Sequence, residues 1–377
     1  MKVLYICPRY HTNQIPVVRG WQERGDEVAF LVRARGPIED YSELEPVMAE
    51  YAPSALFLVR VWCMLHPHDP AAPDLILKVG YPKKKKIADF LRSFRPELVI
   101  LRERSIYSIV CYRLIRRILP EARVLLYNQS PLRVVADNTR TDAPHRLMDR
   151  LLPLPRITPV RGTGSFTERD SYFVPFVAIP QCAPDERAYC EDGRVRILSI
   201  GRFEERKNHL LLLDVFAKLR AACPAVVLTI VGECKDSFQK EYLARVEKRI
   251  EELKLSEAVT VRLNLDRNAM DVVYRQTDLY VLPSTGEPAA VSILEAMSYS
   301  IPAVSSDGNG TADYIEPGVS GDIFHDRDAD DLYRALEAIV RDKETIIRLG
   351  AGARRAIEEK YTFPRYYEAL MSVVTGR

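Results

Sequence analysis

Short runs of consecutive apolar residues constrain the fold of this chain more than any other feature. Val3–Cys7 and Val28–Val32 contain no polar residue, and Val124–Tyr127 repeats the pattern. A strand without alternating polarity is buried on both faces, as in a parallel sheet with helices on each side. The runs therefore predict an α/β class built on parallel sheets.

Predicted helices alternate with such strands in two series. In the first series, a helix at Lys83–Phe94 precedes a strand at Glu97–Leu101, and a helix at Tyr107–Leu119 precedes the strand at Val124–Tyr127. Alternation of this kind is typical of a doubly wound sheet. The second series has strands at Arg196–Ile200, Val226–Val231, Val259–Leu263, Leu279–Pro283 and Ala303–Ser305, and helices at Asn208–Ala222, Phe238–Leu253, Arg267–Arg275, Val291–Ser298, Ala329–Arg341 and Lys343–Glu359.

The length of 377 residues favours two domains, because one hydrophobic core rarely organises a chain this long. The break falls near Ile179–Gly193, where two prolines and several acidic residues are typical of a linker. We expect one Rossmann-like domain over residues 1–180 and a second over residues 190–361. Two such sheets facing each other would leave a cleft, with ligands at the carboxyl ends of the strands.

Composition and charge exclude several classes of protein. No apolar run approaches the ~20 residues that span a bilayer, and Val3–Cys7 is too short for a signal-peptide core. The seven cysteines lack metal-site spacing, so we expect a reduced, cytoplasmic protein. Residues 1–185 carry 27 Lys and Arg against 20 Asp and Glu, whereas residues 186–377 carry 27 against 32. Because the basic residues lack interleaved aromatics, nucleic acid is not an expected partner.

The loop after the strand Arg196–Ile200 has the composition of an anion site. It reads Gly201-Arg202-Phe-Glu-Glu-Arg-Lys207-Asn208 and leads into a predicted helix. A glycine lets a ligand approach the backbone, and two cations beside a helix N-terminus attract a diphosphate without a metal ion. A solvated strand–helix loop is the alternative interpretation of the same residues.

A pair of glutamates forms the second candidate site. Glu287 follows the strand Leu279–Pro283, and Glu295 lies eight residues later among apolar residues. In a continuous helix this spacing corresponds to about 12 Å, similar to the separation of sugar and ribose in a nucleotide-sugar. A carboxylate among apolar neighbours is costly without a partner, which favours a ligand-binding role for Glu295 over a surface position.

These motifs resemble the donor domain of the GT4 family of retaining glycosyltransferases, which have the GT-B fold of two Rossmann-like domains facing a cleft. The resemblance extends over about 165 residues, from Ile197 to about Thr362. It implies an acceptor-binding N-terminal domain, to which a terminal crossing helix at 362–377 returns. The matching segments are Gly201-Arg202, Lys207-Asn208, Val231-Gly232, Thr277–Ser284, Glu287 with Glu295, Ile301-Pro-Ala-Val-Ser and Gly318-Val-Ser-Gly321.

The resemblance also implies roles for single residues. Arg202 and Lys207 would bind the diphosphate and, with Glu287, form the catalytic set; Glu287 would hold the donor sugar and Glu295 the ribose. The base would lie against Gly232 and the Arg262–Leu265 segment. The donor-binding set is then Arg202, Lys207, Gly232, Leu265, Glu287, Ala290, Val291 and Glu295. No cofactor or metal ion is expected, since the nucleotide-sugar is a substrate.

The chain departs from the family pattern at several positions. Ala289-Ala290 stand where Phe-Gly is usual, and Ser300 replaces a common glycine. The family often carries a histidine after the strand corresponding to Val124–Tyr127, where this chain has Asn128-Gln129. The candidate donor contacts from the N-terminal domain are therefore His11, Asn13, Asn128 and Gln129.

The N-terminal half should bind the acceptor, a glycan, a glycolipid or a small molecule. Lys83–Lys86 opens a predicted helix and is a candidate contact with an anionic membrane surface, at the inner face of the membrane. Ala55–Leu65 is apolar except for Arg60 and is interpreted as either a membrane-facing loop or part of the core.

Three functions fit these observations. The first is a hexosyltransferase that uses a nucleotide diphosphate-sugar. The second is a catalytically weakened nucleotide-sugar-binding subunit of a glycosyltransferase complex, suggested by Asn128-Gln129 and Ala289-Ala290. The third is a nucleotide-sugar epimerase of the same fold, which the spacing of Glu287 and Glu295 disfavours. A dinucleotide oxidoreductase is excluded, because no G-x-G-x-x-G follows a predicted strand.

Overall fold

The computed structural model describes residues 1–36, 39–66, 75–134 and 143–376. These residues form two compact units. Unit 1 comprises Met1–Pro159, Thr163–Pro175 and Tyr366–Arg377, and unit 2 comprises Val160–Gly162 and Phe176–Arg365. Each unit is an α/β structure around its own parallel sheet.

Unit 1 is organised by a parallel sheet of seven strands in the order β3-β2-β1-β4-β5-β7-β9, and β6 and β8 form a separate antiparallel pair. The strands are β1 (Lys2–Arg9), β2 (Glu27–Ala34), β3 (Val47–Met48), β4 (Leu98–Leu101), β5 (Arg123–Tyr127), β6 (Arg133–Val134), β7 (Arg156–Thr158), β8 (Phe166–Thr167) and β9 (Ser171–Phe173). The helices are α1 (Ile15–Glu23), α2 (Pro53–Leu65), α3 (Leu75–Val79), α4 (Lys84–Phe94), α5 (Ile106–Ile118) and α6 (Ala143–Leu151).

Unit 2 contains a parallel sheet of six strands in the order β12-β11-β10-β13-β14-β15. The strands are β10 (Val195–Ile200), β11 (Val226–Gly232), β12 (Val259–Leu263), β13 (Leu279–Leu282), β14 (Ala303–Ser306) and β15 (Gly321–Phe324). The helices are α7 (His209–Ala222), α8 (Ser237–Glu252), α9 (Arg267–Arg275), α10 (Ser292–Ser298), α11 (Ala329–Val340) and α12 (Lys343–Lys360). A last helix, α13 (Phe363–Thr375), begins in unit 2 and belongs to unit 1 from Tyr366 onward.

The apolar runs form the buried centre of each sheet, as their composition predicts. In unit 1, β1 lies between β2 and β4, and Val3 and Leu4 have no exposed surface. The Trp21 indole donates a hydrogen bond to the Tyr5 hydroxyl at 2.9 Å, and the hydroxyls of Tyr5 and Tyr366 lie 2.9 Å apart. This buried polar contact attaches α13 to the sheet of unit 1.

The pairing of β10 determines where unit 2 presents its loops. Strand β10 pairs in parallel with β11 on one side and with β13 on the other. Since parallel strands all end at the same edge of a sheet, the segments that follow β10, β11 and β13 are neighbours. Residues far apart in sequence, such as those near 205 and those near 287, are thereby brought together.

One sequence interpretation is wrong in this part of the molecule. Ala55–Leu65 is neither a loop nor core: it lies in the helix α2, of whose residues Ala55 is the one classed as buried. The apolar composition suggested burial, but among the described residues no other element covers most of the helix. Within the described ranges, no helix is both long enough and apolar enough to cross a bilayer.

The core of unit 2 provides a stability test with a matched control. Phe216 on α7 is fully buried in the core, whereas Phe238 on α8 is 83% exposed. We expect Phe216→Ala to lower the free energy of unfolding by about 3–5 kcal/mol, because it removes buried contacts and leaves a cavity. Phe238→Ala should change it by no more than about 0.5 kcal/mol. Urea denaturation of both variants measures the difference, and similar losses would contradict the assigned core.

Candidate functional site

Two residues, Gly201 and Asn208, shape the loop after β10. A Cβ on Gly201 would lie 2.9 Å from the Lys207 side chain, so glycine leaves room for that lysine to cross the strand end. A 3₁₀ turn at Glu205–Lys207 follows, and Asn208, with φ of 54°, starts α7 from the left-handed region. Asparagine tolerates this conformation better than most residues. The loop therefore directs Lys207 back over the end of β10.

Lys207 and Arg206 meet Glu287 at the edge of the sheet. Both cations donate hydrogen bonds to the same carboxylate oxygen of Glu287, which lies in the segment after β13. The backbone N–H of Thr285 donates to the Arg206 carbonyl at 2.8 Å, which fixes the two loops to each other. The structure thus brings together Lys207 and Glu287, two of the predicted site residues.

The Lys207–Glu287 ion pair is almost buried. Each side chain keeps about a tenth of its surface, 11% for Lys207 and 9% for Glu287. Desolvation lowers the pKa of Lys207, and the negative charge of Glu287 opposes that effect. A buried charge is tolerated when it is paired, and removal of one partner is far more costly than removal of both.

Arg202 lies beside this cluster but does not contact Glu287 directly. Its guanidinium is 3.5 Å from Glu204, whose carboxylate also pairs with Arg206 at 2.6 Å. About half of the Arg202 side chain is exposed. Within this cluster three cations therefore face two carboxylates. Arg206 and Glu204 were not among the predicted site residues, although both lie inside the predicted loop.

The loops after β11 and β12 are held together by Asn264. Its side-chain carbonyl accepts a hydrogen bond from the Cys234 N–H at 2.9 Å, and its amide donates to the Cys234 carbonyl at 3.2 Å. A Cβ on Gly232 would lie 2.2 Å from the Gly201 carbonyl, so this glycine allows the strand ends to pack closely. Leu265, next to Asn264, is half-buried. Gly232, the last residue of β11, and Leu265, in the loop after β12, thus lie next to this connection.

Glu295 is on α10, and a hydrogen bond at 2.8 Å links its carboxylate to the Tyr274 hydroxyl. The side chain is exposed by surface area, yet enough protein surrounds the carboxyl that desolvation raises its pKa. The Tyr274 hydrogen bond and the charge of Arg267 oppose this rise. Tyr274 in turn stacks on Tyr299, with ring centroids 4.9 Å apart. Neither tyrosine was expected at the site.

The expected helical spacing between the two glutamates is not found. Helix α10 starts at Ser292, so Glu287 precedes it, and the 12 Å estimate for a continuous helix does not apply. Glu287 forms a bridge with Asn309 instead, and its carbonyl accepts a hydrogen bond from Gly310 at 2.9 Å. Between the glutamates, Ala290 is buried and exchanges hydrogen bonds with the Thr311 hydroxyl, and Val291 is half-buried.

In unit 1, His11 and Asn13 follow the end of β1. His11 Nδ1 lies 3.1 Å from a carboxylate oxygen of Glu39. Burial acts to raise the pKa of Glu39, but hydrogen bonds from His11 and Thr12 outweigh it and lower the pKa to about 2. The side-chain carbonyl of Asn13 accepts a hydrogen bond from Gln14 at 2.9 Å. His11 therefore belongs to an ion-pair cluster with Glu39.

Asn128 is bound to Arg156, and Gln129 beside it is half-buried. The side-chain carbonyl of Asn128 accepts hydrogen bonds from Arg156 at 2.8 Å and from the Ser130 N–H at 3.2 Å. The same guanidinium pairs with Glu168 at 2.6 Å. The carbonyl of Asn128 therefore has a structural role in unit 1, which its position after a strand did not reveal.

The C-terminal half of the chain is similar to a known protein family. Residues 188–356 match the family described as Glycosyl transferases group 1. A sucrose synthase of Acidithiobacillus caldus is 26% identical over 205 residues, which are 50% of this chain and 26% of the relative. The chain therefore spans about a quarter of the length of the first curated relatives it matches.

Solved structures extend the likeness to the whole chain. A glycosyltransferase from Rickettsia africae ESF-5 superposes with a TM-score of 0.72 at 13% identity, over 100% of this chain and 98% of the other. Anabaena Alr3699/HepE, solved in complex with UDP and glucose, gives 0.71 at 13% identity over 100% of both chains. Residues 188–356 therefore match the group 1 glycosyltransferases, as the motif resemblance implied, and the chain has the GT-B fold with two Rossmann-like units.

Proposed function

We propose that this chain transfers a hexose-type sugar from a nucleotide diphosphate-sugar to an acceptor, with retention of the anomeric configuration. The acceptor is a glycan, a glycolipid or a small molecule. The observation that carries the proposal is the cluster of Lys207, Arg206 and Glu287 at the carboxyl edge of the unit 2 sheet. The family of residues 188–356 and the UDP-glucose complex of Anabaena Alr3699/HepE support the donor class.

The cluster has the charges that a donor of this class requires. Lys207 and Arg202 provide positive charge for the diphosphate, and Arg206 adds a third cation that already contacts Glu287. The carboxylate of Glu287 accepts hydrogen bonds, so it can receive the hydroxyls of the donor sugar. Because protein contacts already fix these groups, little reorganisation is needed when the donor binds.

The nucleoside would lie along the connected loops after β11 and β12. Leu265 and Gly232 offer an apolar and a close backbone contact for the base, and Asn264 holds the two loops together. Glu295, oriented by the Tyr274 hydroxyl, accepts the ribose hydroxyls. Ala290 and Val291 line the segment between sugar and ribose.

The proposed mechanism passes through an oxocarbenium-like transition state. Negative charge develops on the departing diphosphate, and Arg202 and Lys207 offset that charge. Fixed cations of this kind contribute a few kcal/mol in related sites. We propose that no metal ion or cofactor takes part, with the positive side chains supplying the charge that a metal ion would otherwise provide.

We also propose that the chain is a cytoplasmic protein that acts at the inner face of a membrane. Lys83–Lys86 are all exposed at the start of α4. Lys83 and Lys86 pair with Glu50 at 3.1 and 3.7 Å. Among the described residues, no carboxylate lies within ion-pair distance of Lys84 or Lys85. Basic residues near an anionic membrane surface contribute about 1 kcal/mol each.

A catalytically weakened nucleotide-sugar-binding subunit is the second candidate function. The observation that favours it is the hydrogen bond from Arg156 to Asn128, which occupies the amide carbonyl at a position where the family often has a histidine. Such a subunit would bind the donor as the enzyme does, and it would not turn the donor over.

A panel of nucleotide-sugars separates these functions. The purified chain is incubated with each donor, and released nucleotide and epimerised sugar are measured with and without candidate acceptors. Slow hydrolysis or transfer supports the transferase. Binding without turnover supports the subunit, and formation of an epimer would contradict both.

Substitutions in the ion-pair cluster test the roles of its members. Glu287→Gln should reduce turnover at least about a hundredfold while nucleotide affinity survives, because the loss falls on the sugar and its transition state. Lys207→Ala should weaken both turnover and nucleotide binding, since it removes the buried cation. The control is Lys218→Ala on α7, which removes an exposed ion pair with Asp330 on α11. Steady-state kinetics and calorimetry measure the effects, and a fully active Glu287→Gln variant would overturn the donor assignment.

The raised pKa of Glu295 leads to a prediction for the pH dependence of donor binding. The ionised carboxylate is the better acceptor for ribose hydroxyls, and burial raises its pKa, so it becomes protonated at a higher pH than an ordinary glutamate. Affinity for UDP-glucose should therefore fall on acidification at a pH above the usual glutamate value of about 4.3. Calorimetric titrations across pH should show this fall for the wild type, and Glu295→Gln should bind weakly with a flatter profile. An identical acid loss in the variant would exclude Glu295 as its source.

A further inference from the structure

A cavity of about 450 Å³ opens at the carboxyl ends of β1 and β2 in unit 1. Arg9, His11 and Arg33 lie on its wall, together with Tyr51 and, from α3, Ile76 and Leu77. The carboxyl edge of a parallel sheet is where ligands bind in doubly wound folds. The cavity thus combines two arginines and a histidine with aliphatic and aromatic carbon.

Two polar groups on this wall have no hydrogen-bond partner among the described residues. They are the buried Nε of Arg33 and the buried hydroxyl of Tyr51. Arg33 is 7% exposed, and its two terminal nitrogens already bind Glu103. Buried polar groups without partners are uncommon, and a bound water or ion is one explanation for them. Arg9 adds a half-exposed cation 3.5 Å from Glu39.

The apolar side of the cavity continues onto an exposed surface. Leu77 lines the cavity and is itself exposed, as is Val79 on the same helix. Half of the exposed large apolar side chains in the described part of the chain lie on α2 and α3. They are Leu56, Phe57, Leu58, Trp62, Met64, Leu65, Leu77 and Val79.

The charges around this surface complement an anionic lipid layer. Arg60 is the one charged residue of α2. The N–H of Ala52 donates to the Tyr81 carbonyl at 2.8 Å, which holds the start of α2 beside the Lys83–Lys86 segment. At 13 residues α2 extends about 20 Å, too short to cross a bilayer but suited to lie in its surface.

We propose that this cavity binds the phosphate-bearing head of a membrane lipid, with Arg9, Arg33 and the Tyr51 hydroxyl at the phosphate and Leu77 along the start of the acyl or prenyl chain. The exposed side chains of α2 and α3 enter the same lipid layer. The inference rests on the proposed function, because it names the acceptor class: an amphiphile with an anionic phosphate next to an apolar chain.

Membrane contact is tested with vesicles of phosphatidylcholine alone and of phosphatidylcholine with phosphatidylglycerol. Trp62 reports insertion, because the other tryptophan, Trp21, is fully buried. With phosphatidylglycerol present, the protein should float with the vesicles and the Trp62 emission should shift to the blue. The double variant Phe57→Ser, Leu58→Ser should weaken flotation about tenfold or more. Phe238→Ser, which alters an exposed phenylalanine of unit 2, is the matched control.

Binding in the cavity is tested by calorimetry with dihexanoyl-phosphatidylglycerol, sn-glycerol 3-phosphate and inorganic phosphate. The short-chain lipid should bind more tightly than either soluble phosphate, and Arg9→Gln should weaken it about tenfold. Leu77→Glu should weaken the lipid and spare glycerol phosphate. The controls are Arg19→Gln, another half-exposed arginine paired with a glutamate, and Leu147→Glu, another exposed leucine of unit 1.

Each outcome decides the inference. Equal affinity for the lipid and for the soluble phosphates would show that the cavity recognises phosphate and not a lipid. An unchanged lipid affinity in Arg9→Gln would show that the lipid does not bind in this cavity. Absence of vesicle binding would overturn the membrane contact. Donor hydrolysis by the wild-type chain is measured on the same samples. If hydrolysis occurs without lipid binding, the acceptor class alone is wrong, whereas lipid binding with no turnover of any donor would contradict the proposed function.

Discussion

The buried contact of Lys207 with Glu287 is the constraint on which the arrangement of unit 2 depends. Two side chains 80 positions apart form it because β10 and β13 pair in parallel and release their loops at one edge. Burial of either charge alone would be costly, so each loop is stable in its observed position only when the other is present. The Thr285 to Arg206 backbone hydrogen bond adds a contact that does not depend on charge.

Arg206 makes this cluster more than a neutral pair. With Lys207 and Glu287 alone, the charges would cancel and the site would have little attraction for an anion. Arg206 shares both Glu287 and Glu204, and Arg202 approaches Glu204 from the solvent side. The positive excess lies within a half of the chain that is acidic by composition. The local arrangement of these side chains, and not the net charge of the unit, therefore sets the charge of this cluster.

The sequence predicted much of this architecture, for reasons that differ between elements. Strands such as β12 and helices such as α9 have the predicted bounds. Apolar and polar residues alternate along β12, and the Asp266 side chain caps the start of α9. The strands β7, β9 and β15 were missed, since β7 and β9 have three residues each and β15 contains Asp322 and no continuous apolar run. The helix α2 was expected to be a loop or part of the core, because its sequence is apolar. An apolar sequence does not show whether another element covers it.

Site residues could be predicted where the residue type and its place after a strand suggested a role. They could not be predicted where the role depends on a contact with a residue distant in sequence. Lys207 and Glu287 follow strand ends, which is visible in the sequence. Asn128 also follows a strand end, yet its carbonyl is used by Arg156, 28 residues away, and no local pattern records that contact. The same limit explains Tyr274, whose hydroxyl determines the orientation of Glu295. A polar residue after a strand is therefore evidence of a binding role only when its hydrogen-bonding groups are available for a ligand, and the side-chain carbonyl of Asn128 is not.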